Sequence, residues 1–351
     1  KRNIIKNTKN DYPNGVQSYG ADSLRYTLLS LSSYNKYIYF TIANLKSYRL
    51  FCNKIWNAAK FIIMNSKKQG YAIQYKYTNI FDKWILSIIE KTKININKYI
   101  KKYKFNILAT ELYNFVWNEF CDWYIEILKV ILKENIYKNS TQYIMKLSFL
   151  KIIKILHPII PYITEEIWEN LNINKKILLE EKYPNIEKKI ISKKTENEIL
   201  WIKKIVYCIR DLISETIKKK NNIISIKKYT KKNKLKIEKY KNIITKISFI
   251  ENIMFISKYH ENKEKYIESQ TCNMTLLLTI NETLNKKNII EKFKKKIKEK
   301  QNQLNCLETN LKNKNFEKSE NKKILNKEKN KIKENIKQIQ TLNKNLNNIL
   351  L

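Results

Sequence analysis

The chain has 351 residues and a formal net charge of +38 at pH 7, from 70 Lys and Arg against 32 Asp and Glu. This length allows two or three domains, and no apolar run approaches the ~20 residues that span a membrane. The charge favours a polyanionic partner such as nucleic acid, but a composition rich in Lys, Asn and Ile is also typical of an A/T-rich genome, so the charge alone leaves both interpretations open.

Glycine and proline are scarce, with three and four residues respectively. Tight turns therefore have few positions available, and the sequence predicts a mainly α-helical fold. The cysteines occur singly and form no C-x-x-C pair, which favours a reducing, cytoplasmic compartment without a metal site. They are Cys52, Cys121, Cys208, Cys272 and Cys306.

The first predicted helix follows the string NDYPNGVQSYGADSLRYTLLSL at 10–31. Asp22 is expected to N-cap a helix that begins near Ser23. Arg25 lies one turn further on, either as a plain surface charge or as a functional cation. The apolar residues of this helix are expected to face a core. They are Leu24, Leu28, Leu29 and Leu31.

The segment 42–65 predicts one long amphipathic helix. Its apolar side carries Leu45, Tyr48, Cys52, Ile55, Ala59 and Ile62. Its other side carries Lys46, Arg49, Asn53, Lys54, Trp56, Asn57 and Lys60. Cations, amides and an aromatic ring are the groups that bind phosphates and stack on unpaired bases, so this side is either an RNA-binding surface or a solvated face.

Three further helical patterns follow, at 79–92, 103–133 and 139–156. The middle one is dense in aromatic residues, which predicts the core of a helical bundle. These residues are Phe115, Trp117, Phe120, Trp123 and Tyr124. An acidic stripe on the same segment is expected to pair with lysines of the bundle rather than to act in catalysis. It consists of Glu119, Asp122 and Glu126.

The string LHPIIPYITEEIWENL at 156–171 contains two of the four prolines. Pro158 has no N–H and disfavours an α conformation at His157, so the preceding helix should end there. Pro161 fits the first turn of a new helix, where a missing donor costs nothing. The prolines therefore predict a corner between two helices, and His157 is interpreted as a structural corner residue rather than a metal ligand.

The chain between 172 and 288 predicts a small α/β module. It combines helices at 196–220 and 238–249 with strands at 223–227, 253–257 and 274–280. From 289 onward the apolar spacing sharpens, which predicts two helices folded into an antiparallel coiled-coil hairpin around the polar string NKNFEKSEN. The residues 289–351 contain seventeen Lys and seven Glu, a local charge of +10.

Four strings, in this order, resemble the C-terminal part of bacterial valyl-tRNA synthetases, which are class I aminoacyl-tRNA synthetases. They are NDYPNGVQSYGADSLRYTL, SYRLFCNKIWNAAKFIIMN, FVWNEFCDWYIE and LHPIIPYITEEIWENL. The terminal basic hairpin also resembles the valyl type, whereas isoleucyl enzymes commonly end in a cysteine-rich zinc module. The resemblance implies a helical anticodon-binding bundle that contains the proline corner.

The resemblance also implies which parts of the reaction lie outside this sequence. Enzymes of this class bind ATP through HIGH and KMSKS motifs, and neither string occurs here. We therefore expect ATP and valine to bind to a catalytic part upstream of this chain, and the chain alone to be inactive. The full enzyme is expected to be a cytoplasmic monomer that binds tRNA(Val) and no membrane.

The implied domain division has four parts. These are the end of the catalytic domain at 1–41, the anticodon-binding domain at 42–190, an α/β module at 191–288 and a tRNA-binding arm at 289–351. The tRNA contacts are expected from Arg49, Asn53, Lys54, Trp56, Asn57 and Lys60 in the bundle and from Lys294, Lys295 and Lys298 in the arm. An alternative is a non-catalytic helical RNA-binding or coiled-coil protein that retains a synthetase-like module; the sequence upstream of Lys1 would discriminate between them.

Overall fold

A computed structural model describes most of the chain, and the predicted mainly α architecture with a small sheet is confirmed. Apart from a few single positions near the amino end, the described residues are 17–32, 40–66, 79–134, 138–171, 176–215, 222–256, 265–280, 286–313 and 322–350. The chain divides into two compact units, Lys1–Asn197 and Glu198–Leu351.

The first unit is built from helices. Its main elements are α1 (Ala21–Leu31), α2 (Ile42–Asn65), α3 (Ile80–Lys101), α4 (Phe105–Asn114), a π-helix (Phe115–Ile125), α5 (Glu126–Lys133), α6 (Lys138–Leu156) and α7 (Pro161–Asn170). Short 3-10 turns follow at Leu178–Glu180 and Lys188–Ile190, and α8 (Lys193–Glu215) begins at the end of this unit.

The start and the buried side of α2 follow from its sequence. The Thr41 hydroxyl accepts a hydrogen bond from the backbone N–H of Asn44, which caps the first turn. The predicted apolar side is confirmed, with Ile55 and Ile62 almost fully buried. The opposite, polar side of α2 is thereby directed away from the core.

Aromatic rings fill the core between these helices. Phe120 of the π-helix stacks on Phe149 of α6, with ring centroids 5.9 Å apart. Tyr26 of α1 lies 5.0 Å from Phe51 of α2, and both rings are fully buried. The prediction that Trp117 also belongs to this core is wrong, because its side chain is only partly buried at the surface of the π-helix.

The predicted proline corner is confirmed. Helix α6 ends at Leu156 and α7 begins at Pro161. His157 is buried between them, and its Nδ1 lies 2.8 Å from the Thr164 hydroxyl in the first turns of α7. The imidazole thus contributes to the corner itself, as the sequence predicted.

The corner is also held by α1, in a way that the sequence analysis missed. Asp22 does not cap its own helix, which begins at Ala21 after Gly20. Its carboxylate instead accepts hydrogen bonds from the backbone N–H groups of Tyr162 (3.4 Å) and Ile163 (2.7 Å) at the start of α7. Asp22, which was expected to cap α1, therefore caps α7, and its partner Tyr162 lies 140 residues further along the chain.

Arg25 completes this contact from the same face of α1. Its guanidinium donates to the carbonyl oxygens of Ile159 (2.9 Å) and Pro158 (3.1 Å). These carbonyls lie between the two helices, so Arg25 and Asp22 satisfy backbone groups that the corner leaves without helical partners. Arg25 is thus an exposed side chain with a structural role, rather than a plain surface charge.

The expected apolar side of α1 is partly wrong. Leu24 and Leu28 are 43% and 46% exposed, whereas Tyr26 and Thr27 are fully buried. The buried side is specified by polar contacts, since Tyr26 donates its hydroxyl proton to the Ala109 carbonyl oxygen at 2.8 Å. The apolar period alone therefore predicted the wrong face.

The second unit contains a four-stranded sheet with the strand order β2-β1-β4-β3. Its elements are β1 (Ile223–Lys227), α9 (Lys231–Ser248), β2 (Asn252–Phe255), β3 (Lys265–Thr271), β4 (Met274–Ile280), α10 (Lys286–Asn313) and α11 (Lys322–Leu350). Strands β1 and β2 are parallel and joined through α9, and β4 is antiparallel to both β1 and β3. Three strands were predicted, but β3 was missed.

The two long helices α10 and α11 pack against each other, as the apolar spacing predicted. Phe293 and Ile297 of α10 and Ile349 of α11 are buried. The string NKNFEKSEN, at which the sequence predicts the chain to reverse, lies outside the described residues except for Asn313.

Candidate nucleic-acid interface

The polar side of α2 carries the predicted tRNA-binding residues of the first unit. Arg49, Asn53, Asn57 and Lys60 are exposed, and Lys54 and Trp56 are partly buried. All six therefore reach the surface. They differ in the partners that the fold already gives them.

Arg49 already has one structural partner. Its Nη1 donates to the backbone carbonyl of Ser18 at 2.6 Å, and the guanidinium lies 5.9 Å from the centroid of the Tyr19 ring. One edge of the guanidinium thus holds the segment that precedes α1. A guanidinium carries five N–H donors, so the same side chain can hold a phosphate with its other edge.

Lys54 is paired with the predicted acidic stripe. Its Nζ lies 2.8 Å from Oδ1 of Asp122 and 5.3 Å from the centroid of the Trp117 ring. Burial opposes the charge on Lys54, but the hydrogen bond and Coulomb attraction of Asp122 outweigh it and raise its pKa. Any phosphate at Lys54 would therefore compete with the Asp122 carboxylate.

Trp56 and Lys60 form the second cluster on this side of α2. The Lys60 Nζ lies 5.8 Å from the centroid of the Trp56 ring, one helical turn away. The exposed amides of Asn53 and Asn57 lie on the same side of the helix. An aromatic ring, a cation and two amides are thus presented together, which suits contact with an unpaired base and its phosphate.

The π-helix adds aromatic surface that the sequence reasoning assigned to the core. Tyr113 stacks on Trp117, with centroids 5.4 Å apart and an interplanar angle of 14°. The wider turn of a π-helix shifts side chains away from a 3.6-residue period. An α-helical period could therefore not predict that Trp117 lies beside Lys54.

The predicted arm residues lie on α10. Lys294, Lys295 and Lys298 are exposed, while Phe293 and Ile297, each next to one of them in the sequence, are buried. Alternation at helical spacing thus directs the three cations away from the apolar seam. Their ammonium groups can form point-charge contacts with phosphates.

The end of α11 is joined to the sheet by a contact that the sequence analysis missed. Asn345 accepts a hydrogen bond from the Glu268 backbone N–H and donates one to its carbonyl, both at 2.8 Å. Lys344 forms an ion pair with the Glu268 carboxylate at 2.5 Å. The amide side chain thereby covers the free edge of β3, which reduces its tendency to pair with another strand.

Within the described ranges, no group of three or more His, Cys, Asp or Glu side chains could hold a metal ion. In the same ranges, no helix is both long enough and apolar enough to cross a membrane. The candidate interface consists of cations, amides and aromatic rings that reach the surface.

Comparison with known families defines the class of the segment from α3 to the start of α9. Residues 82–234 match the family model of the anticodon-binding domain of tRNA ligases. The matched segment begins in α3 and extends into α9, so it contains the proline corner and the π-helix. This part of the chain is an anticodon-binding domain of the tRNA ligase type.

Similarity to individual proteins extends further along the chain. It is 33% identical over 326 residues to a valine–tRNA ligase of Blochmanniella floridana, which covers 89% of this chain and 34% of the relative. It is 34% identical over 269 residues to a valine–tRNA ligase of Legionella pneumophila (strain Lens), which covers 72% of this chain and 29% of the relative. The chain is thus homologous to bacterial valine–tRNA ligases and spans about a third of their length.

Among solved structures, the ternary complex LeuRS-tRNA-LeuAMS of Agrobacterium radiobacter K84 matches with a TM-score of 0.38 and 18% identity. The match covers 50% of this chain and 20% of that chain.

Proposed function

We propose that this chain is the tRNA-binding, C-terminal part of a valine–tRNA ligase, the class I enzyme that activates valine with ATP and attaches it to tRNA(Val). One observation carries this proposal: similarity to valine–tRNA ligases extends over 89% of the chain and includes an anticodon-binding domain. Valine and ATP would bind to the catalytic part of the complete enzyme, which we expect to act in the cytoplasm as a monomer.

In this proposal the polar side of α2 meets the anticodon loop. Trp56 offers a partly exposed ring on which an unpaired base can stack, and Lys60 and Arg49 offer charges to the neighbouring phosphates. Asn53 and Asn57 can donate to or accept from base edges. The arm of 289–351 would contact a different part of the tRNA through its exposed lysines.

Substitution of Trp56 tests the base-stacking role. We expect Trp56→Ala to weaken tRNA(Val) binding by about 1–3 kcal/mol, the usual contribution of a stacked base, with little loss of stability. Titration of labelled tRNA and urea denaturation measure the two effects. A matched control is Trp84→Ala, since Trp84 is 98% buried in α3 and its loss should cost about 3–5 kcal/mol of stability without weakening binding by the folded protein.

The proposal assigns Trp56 the wrong role if the two variants behave alike in both measurements. Equal affinity of the chain for tRNA(Val) and for a tRNA of another amino acid would argue against the ligase assignment as a whole. The non-catalytic RNA-binding alternative predicts that result.

A second experiment concerns catalysis. Because neither a HIGH nor a KMSKS string occurs in the sequence, we expect this chain alone to show no valine-dependent exchange of pyrophosphate into ATP. The exchange assay, run with and without valine, measures this directly. Valine-dependent exchange above the valine-free control would mean that the chain contains an ATP site which the sequence does not reveal.

A further inference from the structure

Helix α9 of the second unit has the most concentrated positive charge among the long helices of this unit. Its 18 residues contain seven lysines and one glutamate, a net charge of +6. The neighbouring helix α8 has five basic and four acidic residues among 23, a net charge of +1. Compositional drift alone would raise the lysine content of both helices alike, so the difference calls for a local cause.

The lysines at the start of α9 lie beside aromatic rings. The Nζ of Lys234 is 5.5 Å from the centroid of the Phe255 ring, which lies 5.0 Å from the ring of Tyr229. The Nζ of Lys236 is 5.0 Å from the centroid of the Trp201 ring in α8. We call this set the α9 surface. It consists of Trp201, Tyr229, Lys234, Leu235, Lys236 and Phe255.

An exposed apolar side chain lies between the two lysines. Leu235 is 67% exposed, although Ile237 and Ile244 on the other side of α9 are fully buried and fill the core of the unit. The helix therefore has an adequate apolar face without Leu235.

The combined chemistry suits RNA. Ammonium groups bind phosphates as point charges, and partly exposed rings and aliphatic groups contact bases and ribose. The side chain of Lys234 is 45% exposed, and its pairing with Glu238 is long, at 3.9 Å. Such a surface pair is weak and leaves the ammonium available to a phosphate.

We propose that the α9 surface is a further RNA-contacting surface, in which Lys234 and Lys236 hold backbone phosphates and Leu235 packs on a ribose or base. It shares no residue with the polar side of α2 or with the predicted lysines of α10. This proposal rests on the proposed function, because that function identifies the RNA as a tRNA. The two lysine contacts are to backbone phosphates, so their effect on the salt dependence is independent of tRNA identity.

The charge contribution is tested by replacing both lysines, in Lys234→Gln/Lys236→Gln. Each lost phosphate contact lowers the magnitude of the slope of log K against log salt by roughly 0.7–0.9. We expect the double variant to lose about 1.4–1.8 from this slope. The control is Lys98→Gln/Lys101→Gln on α3, which removes the same charge from two exposed lysines outside all proposed surfaces and should leave the slope unchanged.

The apolar contact is tested separately by Leu235→Ser. This variant should bind RNA about three- to tenfold more weakly, because the exposed leucine loses its apolar contact in the complex. Its salt slope should stay that of the unchanged chain. Since Leu235 lies outside the core, thermal melting should be unaltered in this variant.

Both experiments use the full chain with tRNA(Val) and with a tRNA for another amino acid. The proposed function predicts a preference for tRNA(Val), whereas the α9 surface predicts the same loss of slope with both RNAs. Equal slopes for the α9 and control variants overturn the α9 surface, and an absent preference overturns the ligase assignment. If anionic vesicles bind the chain through these lysines while the RNA slope is unchanged, the surface contacts a membrane and our inference is wrong.

Discussion

At the scale of single residues, Asp82 is a buried carboxyl group held by several hydrogen bonds in the first unit. Its carboxylate is fully buried and accepts hydrogen bonds from Asn79 (2.6 Å), Tyr124 (2.8 Å) and Thr141 (3.2 Å). Burial disfavours the charged form more than these hydrogen bonds favour it, which raises the pKa of Asp82 to about 6. The carboxyl group thus binds its proton more tightly in the folded than in the unfolded chain.

This raised pKa predicts a dependence of stability on pH. Between about pH 4 and pH 6 the folded chain keeps a proton on Asp82 that the unfolded chain releases, so the free energy of unfolding falls as the pH rises. A shift of about two pKa units corresponds to about 2–3 kcal/mol. In Asp82→Asn this contribution should be absent. Urea denaturation of both proteins from pH 4 to pH 7 measures the difference.

Glu134→Gln provides the control for that series, because Glu134 is exposed in the same unit and should leave the pH dependence unchanged. Parallel stability curves for Asp82→Asn and the unchanged chain would show that Asp82 is ionised at an ordinary pKa. The amide of the variant also faces the Asn79 amide, so a constant loss of stability at all pH values is expected in addition.

The residue scale also shows what a sequence can and cannot specify. The corner at Pro158 and Pro161 was predictable, because proline restricts its own backbone and that of the residue before it. The hydrogen bonds of Asp22 were not, since their partners lie 140 and 141 residues away. Local rules assigned Asp22 to the start of α1, the nearest helix. Only the packing of α1 on α7 reveals that Asp22 caps the start of α7.

At the scale of elements, α1, α6 and α7 are joined around this corner. Asp22 caps the start of α7, and Arg25 binds the carbonyls that follow α6. A carboxylate at a helix N-terminus also interacts favourably with the helix dipole. The three helices should therefore unfold together rather than fray separately.

This cooperation predicts the effect of removing the cap. Asp22→Ala should lower the free energy of unfolding by about 1–2 kcal/mol, because two N–H groups of α7 lose their acceptor. Asp22→Asn keeps one acceptor oxygen and should lose less. Urea denaturation followed by the fluorescence of the tryptophans measures both. Should Asp22→Ala match the unchanged chain in stability, water would have replaced the carboxylate and the cap would be unimportant.

Element boundaries that depend on long-range pairing were the weakest part of the sequence analysis. Strand β3 reads KYIESQT, a mainly polar sequence in which Ile267 is fully buried. It forms because β4 pairs along its whole length and Asn345 of α11 covers its other edge. By contrast the bounds of α2 and α6 and the start of α7 were predicted closely, because apolar periods and the backbone restrictions of proline are local.

At the scale of the whole molecule, the positive charge either contacts a polyanionic partner or reflects only an A/T-rich composition. The described lysines occur in two kinds of environment. In the first unit Lys93 is fully buried and forms an ion pair with Glu90 at 2.7 Å, which is a structural use. In the second, Lys231, Lys232 and Lys239 of α9 and Lys294, Lys295 and Lys298 of α10 are exposed, and a polyanion can reach them.

Deleting the arm would be a poor test of its charge, although the apolar seam suggests an independent hairpin. Removing 289–351 would also remove Asn345 and uncover the edge of β3, so the second unit should lose stability for reasons unrelated to RNA. The first unit, with its own core, should remain folded. Substitutions that keep the helices are therefore the sharper experiment.

The triple variant Lys294→Gln/Lys295→Gln/Lys298→Gln removes three exposed charges from α10 and leaves Phe293 and Ile297 in the seam. If the arm binds tRNA through these lysines, the slope of log K against log salt should fall in magnitude by about two to three. The matched control replaces Lys83, Lys98 and Lys101 of α3, also exposed, by Gln. Filter binding of tRNA(Val) between 50 and about 300 mM salt gives both slopes. If the lysines reflect only the A/T-rich composition, both variants should give the same slope, because solvated lysines contribute only to net charge. Equal slopes would therefore show that the arm is not part of the tRNA-binding surface.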